Sequence, residues 1–222
     1  MRWKRSWPIL AALLWLGTSA HAGWVGDCGT VALSFAPDSV VAFRTADTAD
    51  GPVVVEIHAL LTDVPAVTAR GRRLDWVGGA EMRLAADVPG VRVLEKRYPT
   101  HVVDMARDDP AACLMASTPG WEPHDGQVEL IAWRVLVPQG TGRVAFSLAD
   151  DGAPSVSRTP GLEGYPARVV WAGSAARGHE AILATACDRG AVLNPGPGEA
   201  VPERHCGGRS WQAMGVLSPA GD

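Results

Sequence analysis

The sequence predicts an all-β chain: a single antiparallel Ig-like β-sandwich of about nine strands, with Greek-key connections and disulfide staples. Three observations carry that expectation. Short runs alternate apolar and polar residues, as in residues 53–61 and 143–149, which is the period of a strand with one buried face. Glycine and proline, 25 and 17 in number, punctuate the chain at intervals that suit turns between short strands. The run at 127–137, QVELIAWRVLV, is dense in β-branched and aromatic residues and is bounded by Asp125-Gly126 and Pro138, the mark of a central strand.

Residues 1–22 read as a signal peptide. Met1-Arg2-Trp3-Lys4-Arg5 is a basic leader, residues 7–17 are apolar, and Ala20-His21-Ala22 is a small-x-small cleavage site. The apolar run is short for a bilayer span, so cleavage and export to the periplasm or cell exterior are expected, with no stable membrane insertion afterwards. Val25-Gly26-Asp27 before Cys28 is not a lipidation sequence. The expected organisation is signal 1–22, sandwich domain 23–206 and a loosely ordered C-terminal tail 207–222.

The leader carries three basic residues and no acid. Without it, 17 Lys and Arg face 24 Asp and Glu, a net charge of −7. That balance makes no basic groove, which argues against nucleic acid and anionic membrane as partners.

Four cysteines remain, Cys28, Cys113, Cys187 and Cys206. In an exported chain an even count predicts two disulfides, for which three pairings exist. The favoured one is Cys187–Cys206 across a Gly/Pro-rich loop, with Cys28–Cys113 tying the N-terminus to a mid-chain loop. His205-Cys206 and His179 raise a metal alternative, but no Cys-x-x-Cys or His-x-x-x-His spacing accompanies them, and no cofactor is expected.

In chain order, residues 30–35 alternate as a strand and 40–43 extend the sheet. Residues 53–61 are the cleanest half-buried strand, with Val53, Val55, Ile57, Ala59 and Leu61 inward. Glu56 and His58 then share the outer face, as a solvated cross-strand pair or as an acid/base pair. Residues 63–75, with Arg70, Arg72 and Arg73, form a connector. Residues 76–85 resume the strand period, with Ala80, Met82 and Leu84 inward and Glu81 and Arg83 outward. Pro89-Gly90 turns the chain into strands at 91–94 and 100–105. Residues 107–126 have no period and predict a long loop, of the kind that often carries function. In the central strand, strict alternation places Glu129 with Ile131, Trp133 and Val135. Residues 143–149 put Val144, Phe146 and Leu148 inward. Asp150-Asp151-Gly152 is a turn without the oxygen spacing of a calcium loop. Further strands are expected at 167–172 and at 180–186, whose alanines also suit a short helix.

The common catalytic signatures are absent: there is no Gly-x-Ser-x-Gly, His-Glu-x-x-His, phosphate loop or dinucleotide fingerprint. The histidines are scattered, and paired carboxylates leave no fixed spacing to find. Six tryptophans remain after the leader. Trp133 and Trp171 lie in apolar strands, and Trp24 and Trp211 near the ends. Trp76 and Trp121 adjoin loops. An exposed indole face stacks on a sugar ring while polar neighbours meet its hydroxyls. Trp121 with His124 and Asp125, and Trp76, are the candidate ligand-binding residues. The competing expectation is that these tryptophans cap the sandwich.

The strand pattern VVVEIHALL, GGAEMRL, PGVRVLE, VELIAWRVLVP, RVAFSL and ARVVWAG, over most of 30–190, resembles exported bacterial proteins with a cohesin-like or carbohydrate-binding-like β-sandwich. That resemblance implies a non-catalytic module that binds a polysaccharide or a cell-surface protein. It supplies no binding residues. The alternative is a secreted hydrolase of a polymer, using Glu56, His58 or the 107–126 loop.

Overall fold

The structure, a computed structural model, describes residues 23–24, 30–62, 76–149, 167–175, 178–204 and 212–217. The expected signal peptide, the arginine-rich connector, the Asp150-Asp151-Gly152 turn, Cys28 and Cys206 lie outside them. Among the described residues there is no helix, and fifteen strands follow one another, four of them only two residues long.

In order they are β1 (Gly23–Trp24), β2 (Thr30–Ser34), β3 (Phe43–Arg44), β4 (Val53–Thr62), β5 (Trp76–Ala86), β6 (Arg92–Arg97), β7 (Val103–Asp104) and β8 (Ala112–Trp121). Then come β9 (Val128–Val137), β10 (Val144–Leu148), β11 (Ala167–Ala175), β12 (Gly178–Arg189), β13 (Ala191–Leu193), β14 (Glu203–Arg204) and β15 (Gln212–Leu217). One sheet runs β2-β4-β9-β6; the other runs β3-β13-β10-β5-β11-β12, with β8 and β7 on the far edge of β5. Strand β12 joins the two, pairing with β11 along most of its length and with β2 through Cys187–Arg189.

Two features differ from the expectation of a purely antiparallel sandwich. The β2·β12 and β3·β13 ladders are parallel, so both sheets are mixed. Part of the segment expected to be a loose tail forms β15, paired with β12 and β1.

One core lies between the sheets. Val55, Ile57, Ala59 and Leu61 of β4 meet Met82 of β5, Met115 of β8 and Phe146 and Leu148 of β10 in the same buried cluster. Trp133, in β9, is fully buried at its centre. Each large apolar side chain sealed this way contributes about 1.5–3 kcal/mol. Phe35 adds an edge-on contact to Phe146, with ring centroids 6.3 Å apart.

Half of the expected loop at 107–126 is strand, residues 112–121 forming β8. Residues 112–116 pair with β5, and Trp121 then pairs with Val77. Between those pairings β8 passes four residues, 117–120, where β5 passes one, Gly78. Pro119 falls inside that excursion, where no ladder N–H is required of it.

Of the expected Cys28–Cys113 pair, Cys28 lies outside the described residues and Cys113 is a buried free thiol. It sits opposite Met82 on the core side of β8, its Sγ 3.8 Å from the Ala80 carbonyl oxygen. Burial pushes its ionisation far up, so it stays a neutral thiol. The side chain of Cys187 lies outside the described set, as does its expected pairing with Cys206.

A lysine does the pinning assigned to that bridge. Lys96 in β6 pairs across the ladder with the inward-facing Trp133, so its side chain runs under the edge of the sheet. The Nζ donates to the carbonyl oxygens of Ala106 (2.5 Å), Asp109 (3.0 Å) and Ala112 (2.8 Å) and lies 2.7 Å from Asp104 Oδ2. That ammonium ties an edge strand of one sheet to the β7–β8 connection of the other. The connection is braced again by Arg83, 2.5 Å from Asp109. Lys96→Met leaves three carbonyls and a nearly buried carboxylate without their cation. We expect a loss of about 3–5 kcal/mol, partly recovered by adding Asp104→Asn. Thermal denaturation reads it, and a Lys96→Met midpoint equal to wild type would contradict the tie.

Asp188 is buried on β12 and accepts a hydrogen bond from Leu148 N at 3.1 Å. Burial outweighs that bond and pushes its carboxyl from 3.8 up to about 6. Between those values the folded chain holds a proton that the unfolded chain has lost. The resulting stabilisation is complete below about pH 4 and is lost as pH rises through 6, about 3 kcal/mol in all. Asp188→Asn keeps an acceptor and removes the charge. It should be more stable than wild type at pH 7.5 and show no gain at pH 4. A variant less stable at pH 7.5 would contradict this.

Candidate functional site

The β8–β9 hairpin builds one wall of the site. His124 and Gln127 exchange both backbone hydrogen bonds, each 2.9 Å. Between them Asp125 and Gly126 have φ of 52° and 76°, the type I′ geometry that matches strand twist. Asp-Gly is a favoured sequence for that turn, because aspartate tolerates left-handed backbone and glycine adopts it freely. The turn holds His124 and Asp125 out into solvent.

A cleft of about 570 Å³ opens beside it, lined by Trp121, Glu122, His124, Asp125, Gln127, Val128 and Glu129 on the hairpin. Pro37 and Asp38 after β2, and Pro99 and Thr100 after β6, form the opposite side. Among the described residues the lining thus contains four carboxylates, one imidazole and no lysine or arginine.

Glu129 reaches the cleft through a fault in the strand. Ala59 pairs with Ile131 but Leu60 pairs with Glu129, so Leu130 is an extra residue opposite the β4 ladder. This β-bulge reverses the alternation. Leu130 and Ile131 are both buried in the core, and Glu129 moves to the outer face. Strict alternation had placed it on the face of Ile131, Trp133 and Val135. On the outer face it meets His58, whose Nδ1–H donates to Glu129 Oε1 at 2.7 Å. Nε2 of His58 lies 3.9 Å from Glu56 Oε2, and Glu56 Oε1 lies 3.5 Å from Arg97.

The sequence placed Glu56 and His58 side by side on an outer face, and they are. His58 is nevertheless only 2% exposed, against 39% for Glu56. It is a buried imidazole between two carboxylates, not a solvated surface group. Glu129 was missed as its partner because the bulge leaves no composition signal.

Of the candidate ligand-binding residues, Trp121, His124 and Asp125 line the same cleft. Trp121 does so differently from expectation. It is 8% exposed and belongs to the core, so its ring face is largely covered. The reason is that it ends a strand paired to β5 and does not stand on a loop. Trp76 pairs with Ala172, next to the Val77–Trp121 pair, and its side chain lies outside the described set. Among the described residues no group of three His, Cys, Asp or Glu side chains is placed to hold a metal ion. Nor is any helix there long and apolar enough to cross a membrane.

The chain matches no family model and no curated protein. Among solved structures it is similar to the seventh ScaB type I cohesin from Pseudobacteroides cellulosolvens, at 11% identity and a TM-score of 0.43. The match covers 80% of this chain and 98% of that one, a distant cohesin-like resemblance in fold.

The turn geometry is directly testable. A Cβ at Gly126 meets nothing within 4 Å, so Gly126→Ala costs only backbone strain. A loss of about 1–2 kcal/mol by chemical denaturation is expected. A neutral substitution would contradict a left-handed residue at 126.

Proposed function

We propose that the chain is an exported, non-catalytic binding module whose cleft takes a cationic segment of a protein partner at the cell surface or in the periplasm. One observation carries this: Asp38, Glu122, Asp125 and Glu129 line a concave site to which no lysine or arginine among the described residues contributes. Clefts of a few hundred Å³ hold a few side chains, and unpaired charge of one sign selects the opposite sign and speeds its encounter. The covered face of Trp121 counts against sugar stacking, which leaves a polysaccharide ligand without its main platform.

The hydrolase alternative draws on a different observation. Glu129 stands at the cleft with a buried imidazole behind it, which is how an acid/base carboxylate can be held. Its signature is turnover of a polymer with a bell-shaped pH–rate profile, abolished by Glu129→Gln.

Calorimetry with a blocked tetra-arginine peptide, a tetra-glutamate control and a panel of soluble polysaccharides separates these. The arginine peptide is expected to bind, to weaken as salt rises, and to weaken about fivefold in Glu129→Gln. A saturable polysaccharide complex with no arginine-peptide binding would overturn the assignment of partner.

A further inference from the structure

We infer that His58 is a positioning residue for Glu129, and that its protonation lowers the affinity of the cleft for a cation, making recognition there pH-linked. This rests on the cleft being the binding site.

The geometry is specific. With His58 neutral, its single N–H lies on Nδ1 and is donated to Glu129, fixing that carboxylate at the cleft while leaving it a full negative charge. The Nε2 lone pair then faces Glu56 at 3.9 Å. Proton uptake at Nε2 turns that facing into an ion pair. It also sets a full positive charge 2.7 Å from Glu129, so the cleft loses most of one unit of attraction for a cation. Histidine is the side chain whose charge changes near neutral pH.

Among the described residues, the charged groups paired around the imidazole belong to this sheet. Strand β9 contributes Glu129 and Arg134, β4 contributes Glu56, and β6 contributes Arg97 and Glu95. Arg134 is engaged with Glu95 at 2.8 Å, and Arg97 reaches Glu56 rather than Glu129. From β2 the residue paired with His58 is Ser34, whose hydroxyl is used by the backbone of Ser39 and Val41. Glu129 is therefore the route by which a charge on His58 is felt in the cleft.

The bulge explains why the two meet at all. His58 pairs with Ala132 in the ladder, three positions from Glu129. Without Leu130 as the extra residue, Glu129 would share the inner face with Ile131, on the other side of the sheet from His58.

The test uses the same blocked tetra-arginine peptide at pH 7.5 and 5.5. His124 is the other imidazole at the cleft, so the comparison is made in a His124→Asn background. There the affinity is expected to fall about fivefold on acidification, with proton release on binding seen as a dependence of heat on buffer ionisation. Adding His58→Asn puts an amide N–H where Nδ1 stood and cannot take up a proton, so affinity should become flat between the two pH values. Peptide binding with no pH slope before His58→Asn, or an unchanged slope after it, overturns the inference and leaves the cleft assignment standing. No binding at either pH overturns both. Should His58→Asn fail to fold, NMR of the unsubstituted protein decides the matter. The Glu129 carboxyl carbon must follow the His58 imidazole through its titration, and a Glu129 signal indifferent to His58 overturns the inference.

Discussion

One extra residue in β9 governs the chemistry of this sandwich. Leu130 sits where the β4–β9 ladder has no place for it, and the alternation of inner and outer side chains reverses around it. The core gains two adjacent inward residues, Leu130 and Ile131. The outer face gains a carboxylate that its neighbours can use. Glu129 meets His58, His58 faces Glu56, and Glu56 reaches Arg97, so three strands are tied across one face by a chain of charged and hydrogen-bonding groups. The same displacement brings Glu129 to the cleft beside the hairpin turn.

The open side of the sandwich is closed by a different device. Edge strands expose unpaired backbone groups, and β6 and β7 both lie at edges. A bulge between Val93 and Glu95 interrupts β6, and Lys96 then turns inward and saturates the carbonyls of the β7–β8 connection. Cys113, next along the chain from the last of those carbonyls, is buried as a neutral thiol.

What could be seen in the sequence follows the regularity of each strand. Strands β4, β5 and β10 alternate cleanly, and their inward residues were legible: Ile57, Met82 and Phe146 are all fully buried. Strand β8 was not legible, because its four-residue excursion around Pro119 breaks the period that marks a strand. Glu129 was grouped with Ile131 and Trp133 for the same reason, since a single inserted residue leaves no trace in composition. Lys96 falls beyond the strand expected at 91–94, and only the tertiary fold shows it carried on in β6 and turned inward. The burial of Cys113 was not legible, because cysteine parity says nothing about which side of a strand a thiol occupies. His124 and Asp125 were expected on a long loop beside Trp121 and stand exposed on a hairpin turn, while the burial of Trp121 itself depends on its pairing with Val77.

The central claim is that the hairpin cleft recognises positive charge. Its most direct measurement is amide chemical-shift mapping of the isotope-labelled protein with the blocked tetra-arginine peptide. The account predicts saturable shifts concentrated at residues 122–129, with weaker ones at 37–38 and 99–100. Shifts confined to the outer face around Glu95 and Arg134, or spread evenly over all acidic residues, would contradict it.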